Sequence, residues 1–540
     1  MLTHKVLSSK VNEYLDPNTN KYNGLIRIID SDFLILCKRL IKGNIINKEP
    51  QDTLDNMVRK PFEKMAKDII DGRWKPCPAR IHKTLGANSA TEYQVLLTFR
   101  VQEKIVQKAL TLILTAVFDR TFSDSSHGFR PGRSVGTALD KLHMRGGHMA
   151  WVIKGDINKS VENVSHEKIL CALKEKVSCV RLLTLVERIL KAGYIDEKGL
   201  KISTHLRTNK AGTPQGCEIS GLLCNIVLDK MDKFIESKEL NVGDLRIKRK
   251  YNPLYIRLEN RRKYYKHRNP VIAKKALLEM RKIPKFDTLD EGFTRALYVR
   301  YADAFVVLLA NTRDAAERLK TEIGAMLKEQ CGLELNLEKT SVQNTKKGFE
   351  FLGASLKRRD NSSIFNSFNV KGSSAKISRR STLRLAVDMP VEKLINKLID
   401  AKFARRNKHN TVLAQGLTSL VQNSHYNIVR FYNSKIWGLH NAYSYAGNFS
   451  SMNKICWILR QSCALTLARK FKLRTMKKAF SAYGFDLKDP ISGLGLAIPQ
   501  SFKATHDFKR DLTKNGLQLD DHTHKILNSL WITKGRSSKR

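Results

Sequence analysis

Hydrophobic and polar positions change their rhythm several times along the chain. Residues 1–70 read as short helices, with Leu34, Ile35, Leu36 and Leu40 as apolar anchors. From Pro76 to about Glu236 strand-like and helix-like stretches alternate, the pattern of an α+β domain. Leu297 to Ala310 predicts two short strands around a tight turn at Ala302–Asp303. A helix should follow, because Ala315, Ala316, Leu319, Ile323, Met326 and Leu327 recur at helical spacing, and Gly332 is placed to end it. Residues 357–389 are rich in Ser, Asn, Lys and Arg and read as a loose connection. From Pro390 onward the pattern is mainly helical, with Cys456 and Cys463 on one helix face.

Charge sharpens this picture. The 540 residues carry 97 Lys+Arg against 51 Asp+Glu, a formal net charge of +46, spread along the whole chain. Such a field favours a polyanion, and nucleic acid is a better partner for it than an anionic membrane. No apolar run approaches the roughly 20 residues of a membrane helix. The nine cysteines include no CxxC pair, which argues against a zinc ribbon or a disulfide scaffold. Residues 246–285 hold fifteen Lys/Arg against two acids, interleaved with Tyr251, Tyr255, Tyr264 and Tyr265. Lys248, Arg249, Lys250, Arg261, Arg262 and Lys263 would meet phosphates there while tyrosine rings stack on unpaired bases; a solvated helical face is the bland alternative.

Two carboxylates draw the chemistry. Asp156 ends the apolar run Ala150–Asp156, and Asp303 sits at the tip of the predicted hairpin. Carboxylates so placed can converge on two Mg²⁺ ions for nucleotidyl transfer, although either alone is more often a turn former or a cap. Arg130 and Arg133 flank Pro131-Gly132, a turn suited to presenting guanidinium groups to phosphate or simply to structural use. Gly212 and Gly216 bracket a segment whose backbone must pass close to something bulky, and Gln215 offers an amide to a base or sugar.

The ordered series Ser126–Ser134, Gly155–Ile157, Ala211–Gly216, Tyr298–Asp303, Glu338–Thr340 and Phe351–Gly353 resembles a group II intron reverse transcriptase–maturase. Tyr432-Asn433, Gly438-Leu439, Tyr443–Tyr445 and Ser462–Lys470 extend the resemblance into that family's helical maturase domain. It implies an α+β, right-hand-like architecture. An N-terminal helical extension (1–70) would precede fingers and palm (71–356, with a basic insertion at 237–297). A linker (357–389), an all-α thumb/maturase region (390–500) and a basic tail (501–540) would follow. It further implies that Lys339 lies near the active site. Tyr432, Arg469 and Lys470 are placed to bind intron RNA by stacking and charge, with helix packing an equal reading for Tyr432. The expected partner is group II intron RNA within a precursor mRNA. Mg²⁺ would be the cofactor only if polymerase activity remains, and the basic insertion resembles mitochondrial members.

The departures from the family carry as much weight. Its hairpin reads Tyr-Ala-Asp-Asp, whereas the second Asp is here Ala304, so the metal-ligating triad is reduced to Asp156 and Asp303. A Phe expected five residues after Asp156 is Val161, the next family Asp is Glu162, and an Arg expected upstream aligns with Gln94. A C-terminal zinc-bearing nuclease module is not expected, since no Cys follows Lys470. These changes point to a splicing maturase on a lapsed polymerase. The rival reading is an active RNA-directed DNA polymerase in which Asp156 and Asp303 suffice or a nearby carboxylate such as Glu162 substitutes for the lost ligand.

Overall fold

The computed structural model describes residues 4–41, 59–85, 93–195, 211–213, 216–238, 250–283, 285–286, 295–358, 365–369, 376–380 and 384–497. At its centre is an antiparallel sheet of four strands in the order Ala296–Tyr301, Ala304–Leu309, Trp151–Asp156, Ser341–Asn344. Both faces are covered, which explains why its strands read as nearly continuous apolar runs. Tyr298, Phe305, Val307 and Ile153 enter the largest core with the helices Ser220–Ser237 and Arg313–Met326. Leu297, Val299, Val306, Leu308 and Val152 face the helix Val135–Arg145 and the short strand Phe349–Phe351. Successive strand residues point to opposite faces, so one six-residue strand feeds two cores.

The helix Val101–Phe118 is buried nearly all round and forms the axis of the larger core. The N-terminal helices His4–Asn12, Ser31–Ile41 and Arg59–Ile70 share that core through Leu7, Val11, Leu34, Phe62 and Ile69. The helix predicted after the hairpin spans Arg313–Met326. It is capped by Thr312, whose Oγ1 accepts from the Ala315 N–H, and the chain turns at Gly332 with φ +65°.

Residues 357–389 correct the expectation of a loose connection. Leu385–Asp388 pairs with Ala354–Arg358, which pairs in turn with Phe349–Phe351, and Phe365–Asn369 forms a hairpin with Lys376–Arg380. The polar composition concealed an alternation in which Leu385 and Val387 are buried against the back of the sheet. The helical region then gathers a separate core around His425–Tyr443 and Met452–Lys470, with Cys456 and Cys463 buried on the same side as expected. It is tied to the rest by Tyr443 Oη donating to the Gly353 carbonyl (3.2 Å) and by Gly447 N–H donating to Val387 O (2.9 Å). Among the described residues no helix is long and apolar enough to cross a membrane.

Candidate functional site

Asp156 ends its strand directly opposite Ala304, its register partner across the antiparallel pair. Asp303 occupies the preceding turn, where Ala302 adopts φ +57° to reverse the chain in two residues. The Ile157 N–H donates to Asp303 O (3.0 Å), and the Asn336 N–H donates to Asp156 O (2.8 Å), fixing both carboxylate-bearing backbones. Burial, and next the negative charge of Asp156, push the Asp303 carboxyl above its ordinary value, while Lys339 opposes this. Lys339 Nζ lies 3.0 Å from the Asp156 carboxylate. Lys339 therefore lies where the resemblance places it, beside the acidic pair.

A buried polar network holds the hairpin in place. Arg300 and Asp232 are both fully buried and ion-paired at 2.6 Å. The Tyr298 hydroxyl donates to Asp232 (2.6 Å), and the Arg300 guanidinium donates to Asn225 Oδ1 (2.8 Å), Ser126 Oγ (2.9 Å) and the Ala302 carbonyl (3.0 Å). The last bond clamps the turn that bears Asp303. Sequence reasoning did not single out Asn225 or Asp232. Their signal was three polar residues, Asn225, Asp229 and Asp232, recurring at helical spacing on one side of the helix. Gly128 passes so close to the hairpin tip that a Cβ would stand 2.5 Å from Ala302 N, which explains the glycine in that motif.

Other predicted residues fall differently. Arg130 is only 6% exposed, and its guanidinium donates to Asp119 Oδ1 and to the carbonyls of Ser123, Ser126 and Asp119. It organises the loop and does not present itself to phosphate, a correction whose cause is the buried ring of acceptors around it. Arg133 pairs with Asp124 at 2.6 Å at the surface. Of the two readings of Tyr432 the structure takes the packing one: it is 0% exposed, and its hydroxyl shares hydrogen bonds with Ser462 (2.9 Å) and Thr466 (3.1 Å). Arg469 is exposed, and half-buried Lys470 donates to the Val421 carbonyl. Gly212 and Gly216 have φ of +86° and +84°, and the Gly212 and Thr213 N–H groups donate to Val164 and Val161 carbonyls (2.7 Å each). This brings the segment alongside Val161, while Gln215 lies outside the described residues.

The basic insertion folds as a helical hairpin, Pro253–Tyr265 and Pro270–Lys282. Each helix starts with an Asn cap followed by Pro, Asn252 and Asn269 respectively. The Tyr251 and Phe286 rings stack at 5.2 Å to close its base. The first helix buries no residue at all, and the second buries Ala276 and Met280. Lys250, Arg261 and Lys263 are exposed and Arg262 is half-buried; Lys263 lies 3.7 Å from Glu259. Lys248 and Arg249 lie outside the described residues. Tyr264 is exposed, with Arg268 over its ring at 4.3 Å.

A four-stranded palm sheet with paired acids at a strand end and a hairpin tip defines a reverse-transcriptase-like protein. Residues 82–256 match the reverse transcriptase (RNA-dependent DNA polymerase) family model, and residues 382–524 match that of the type II intron maturase. The chain is 31% identical over 536 residues to the putative COX1/OXI3 intron 2 protein of Saccharomyces cerevisiae, covering 95% of this chain and 60% of that protein. It is 27% identical over 443 residues to the group II intron-encoded protein LtrA of Lactococcus lactis subsp. cremoris, covering 80% of this chain and 71% of that protein. It is 22% identical over 497 residues to nuclear intron maturase 1, mitochondrial, of Arabidopsis thaliana, covering 82% of this chain and 64% of that protein. The chain spans about 60% of the length of the yeast relatives it matches. It carries a reverse transcriptase region and a type II intron maturase region in that order, and it is similar to group II intron-encoded proteins.

Reverse transcriptases generally use Mg²⁺ for polymerisation, and the residues present fit that role poorly. Ala304 offers a methyl group where the family has a carboxylate, and an ammonium already sits against Asp156. Among the described residues no three His, Cys, Asp or Glu side chains gather as a metal site, so Glu162 does not complete one.

Proposed function

We propose that this chain is a splicing maturase that binds group II intron RNA and favours its active fold, on a palm that no longer polymerises DNA. The observation that carries this reading is Ala304 facing Asp156 across the strand pair, in a chain whose residues 382–524 match the type II intron maturase. In this reading the transesterification chemistry belongs to the RNA. The protein contributes differential affinity: a surface that binds the native intron more tightly than its misfolded forms shifts the population by that difference. The basic hairpin 253–282 is the leading contact surface, since it is poorly buried, rich in cations and carries an exposed tyrosine. The mitochondrial names among the relatives support action in that organelle on a precursor mRNA.

The test is Mg²⁺-dependent primer extension on an RNA template, run beside binding of an intron transcript. The expected result is intron binding without extension. Robust extension by the wild-type protein would make it an active polymerase and overturn the reading.

A further inference from the structure

The helical region carries an aromatic patch at the edge of its core, where Phe480 packs against that core. Trp457, on the helix Met452–Lys470, is 42% exposed, and Phe485, after the helix Met476–Tyr483, is 54% exposed. Their ring centroids lie 6.0 Å apart with planes 31° from parallel, and Phe480 lies 6.1 Å from Phe485 at 29°. Three rings from two helices and a loop thus adjoin, with Phe485 against both of the others.

Beneath these rings lies a cation without an ordinary partner. The Arg460 guanidinium stands 4.1 Å from the Phe485 ring centroid. Arg460 is only 4% exposed, and its Nε is buried with no hydrogen-bond partner. Burying a guanidinium costs free energy unless its donors are engaged, and the ring face above it returns only part of that. The surroundings favour an anion: residues 451–488 carry nine Lys/Arg against a single acid, Asp486, and Lys454, Lys477, Lys478 and Lys488 are exposed. An apolar protein partner would meet a rim of one charge sign. Unpaired RNA supplies flat bases and phosphates together.

We infer that Trp457, Phe485 and Phe480 form a stacking platform for unpaired bases of a structured RNA, with the surrounding lysines facing its backbone and buried Arg460 supporting the Phe485 ring. This rests on the maturase reading, because intron RNA is the ligand it requires. Stacking is sequence-tolerant, since every base has a π-face, so the platform recognises an unpaired loop or bulge by shape.

The experiment measures affinity of the full-length protein for an intron transcript across a range of salt. The double variant Trp457→Ala/Phe485→Ala should lose on the order of ten-fold in affinity with an unchanged salt slope, because no phosphate contact is removed. Trp457→Phe/Phe485→Tyr keeps the rings and should bind within about two-fold of wild type. 4-Thiouridine placed in intron loops should crosslink to the segment 452–488 in the unmodified protein. Wild-type affinity in the alanine variant, or no crosslinks to that segment while the intron is bound, overturns the platform and leaves the maturase reading intact. Absence of intron binding by the wild type overturns both. If the alanine variant changes self-association in sedimentation but not intron affinity, the surface belongs to a second copy of the chain and the inference is wrong.

Discussion

Ala304 and Asp156 are partners across the antiparallel strand pair, so the position from which the family's missing carboxylate would project faces the surviving one. Directly opposed residues in such a pair have Cα atoms about 5 Å apart. Restoring an acid there should rebuild a three-carboxylate cluster without moving the backbone. Ala304→Asp is expected to tighten Mn²⁺ binding by at least about ten-fold, each ten-fold being ~1.4 kcal/mol, as read by electron paramagnetic resonance. Equal binding by the two proteins would show that Lys339, not the lost ligand, governs the site.

The fully buried Arg300–Asp232 pair should be intolerant of single substitutions. Asp232→Ala strands a guanidinium in the core and removes the acceptor of Tyr298, at a cost of roughly 3–5 kcal/mol. A lower thermal midpoint is the readout. Replacing both partners by apolar residues of similar volume should recover much of the loss.

Tyr432 tests the distinction between packing and RNA contact. Tyr432→Phe removes hydrogen bonds to Ser462 and Thr466 and should cost about 1–2 kcal/mol of stability. Intron affinity should be unchanged once the variant is folded. A selective loss of binding without a change in melting would return Tyr432 to the RNA surface.

Neutralising the basic hairpin gives the opposite signature. Arg261→Gln, Arg262→Gln, Lys263→Gln and Lys266→Gln together remove four cations from a helix that buries nothing, so stability should stay within about 0.5 kcal/mol per site. Intron affinity should fall, and the slope of its logarithm against salt should shrink by up to about three. An unchanged slope would remove the hairpin from the RNA interface.

Glu103 supplies a pH dependence. Burial raises its carboxyl from 4.5 to about 7, more than the hydrogen bond from the Cys77 N–H lowers it. The folded state then holds a proton that the unfolded chain has released. The stabilisation is complete below about pH 4.5 and is lost as pH rises through about 7. Relative to Glu103→Gln, the wild type should therefore weaken by on the order of 3 kcal/mol across that window. Chemical denaturation of both proteins at pH 5 and pH 8 gives the comparison, and a pH-independent difference would contradict it.

Much of this molecule was legible from local chemistry. The hairpin over 297–310 announced itself by two apolar runs around Ala302–Asp303, and the helix over 313–326 by its periodicity and by Gly332 beyond its end. The loss of the second acid at Ala304 and the fifteen cations over 246–285 needed no coordinates, because residue type alone carries charge and metal-binding capacity. Only the tertiary structure decided what surrounds each group. Arg130 and Arg133 look alike in a Pro-Gly turn, yet one is enclosed by carbonyls and the other lies at the surface against Asp124. Tyr432 and Tyr264 are both tyrosines in cation-bearing helices, but the first is sealed between helices and the second is open. The pairing of Arg300 with Asp232 and the meeting of Trp457, Phe485 and Arg460 join residues distant in sequence. Burial and partner identity depend on long-range packing, whereas periodicity, capping and charge are properties of a few neighbouring residues.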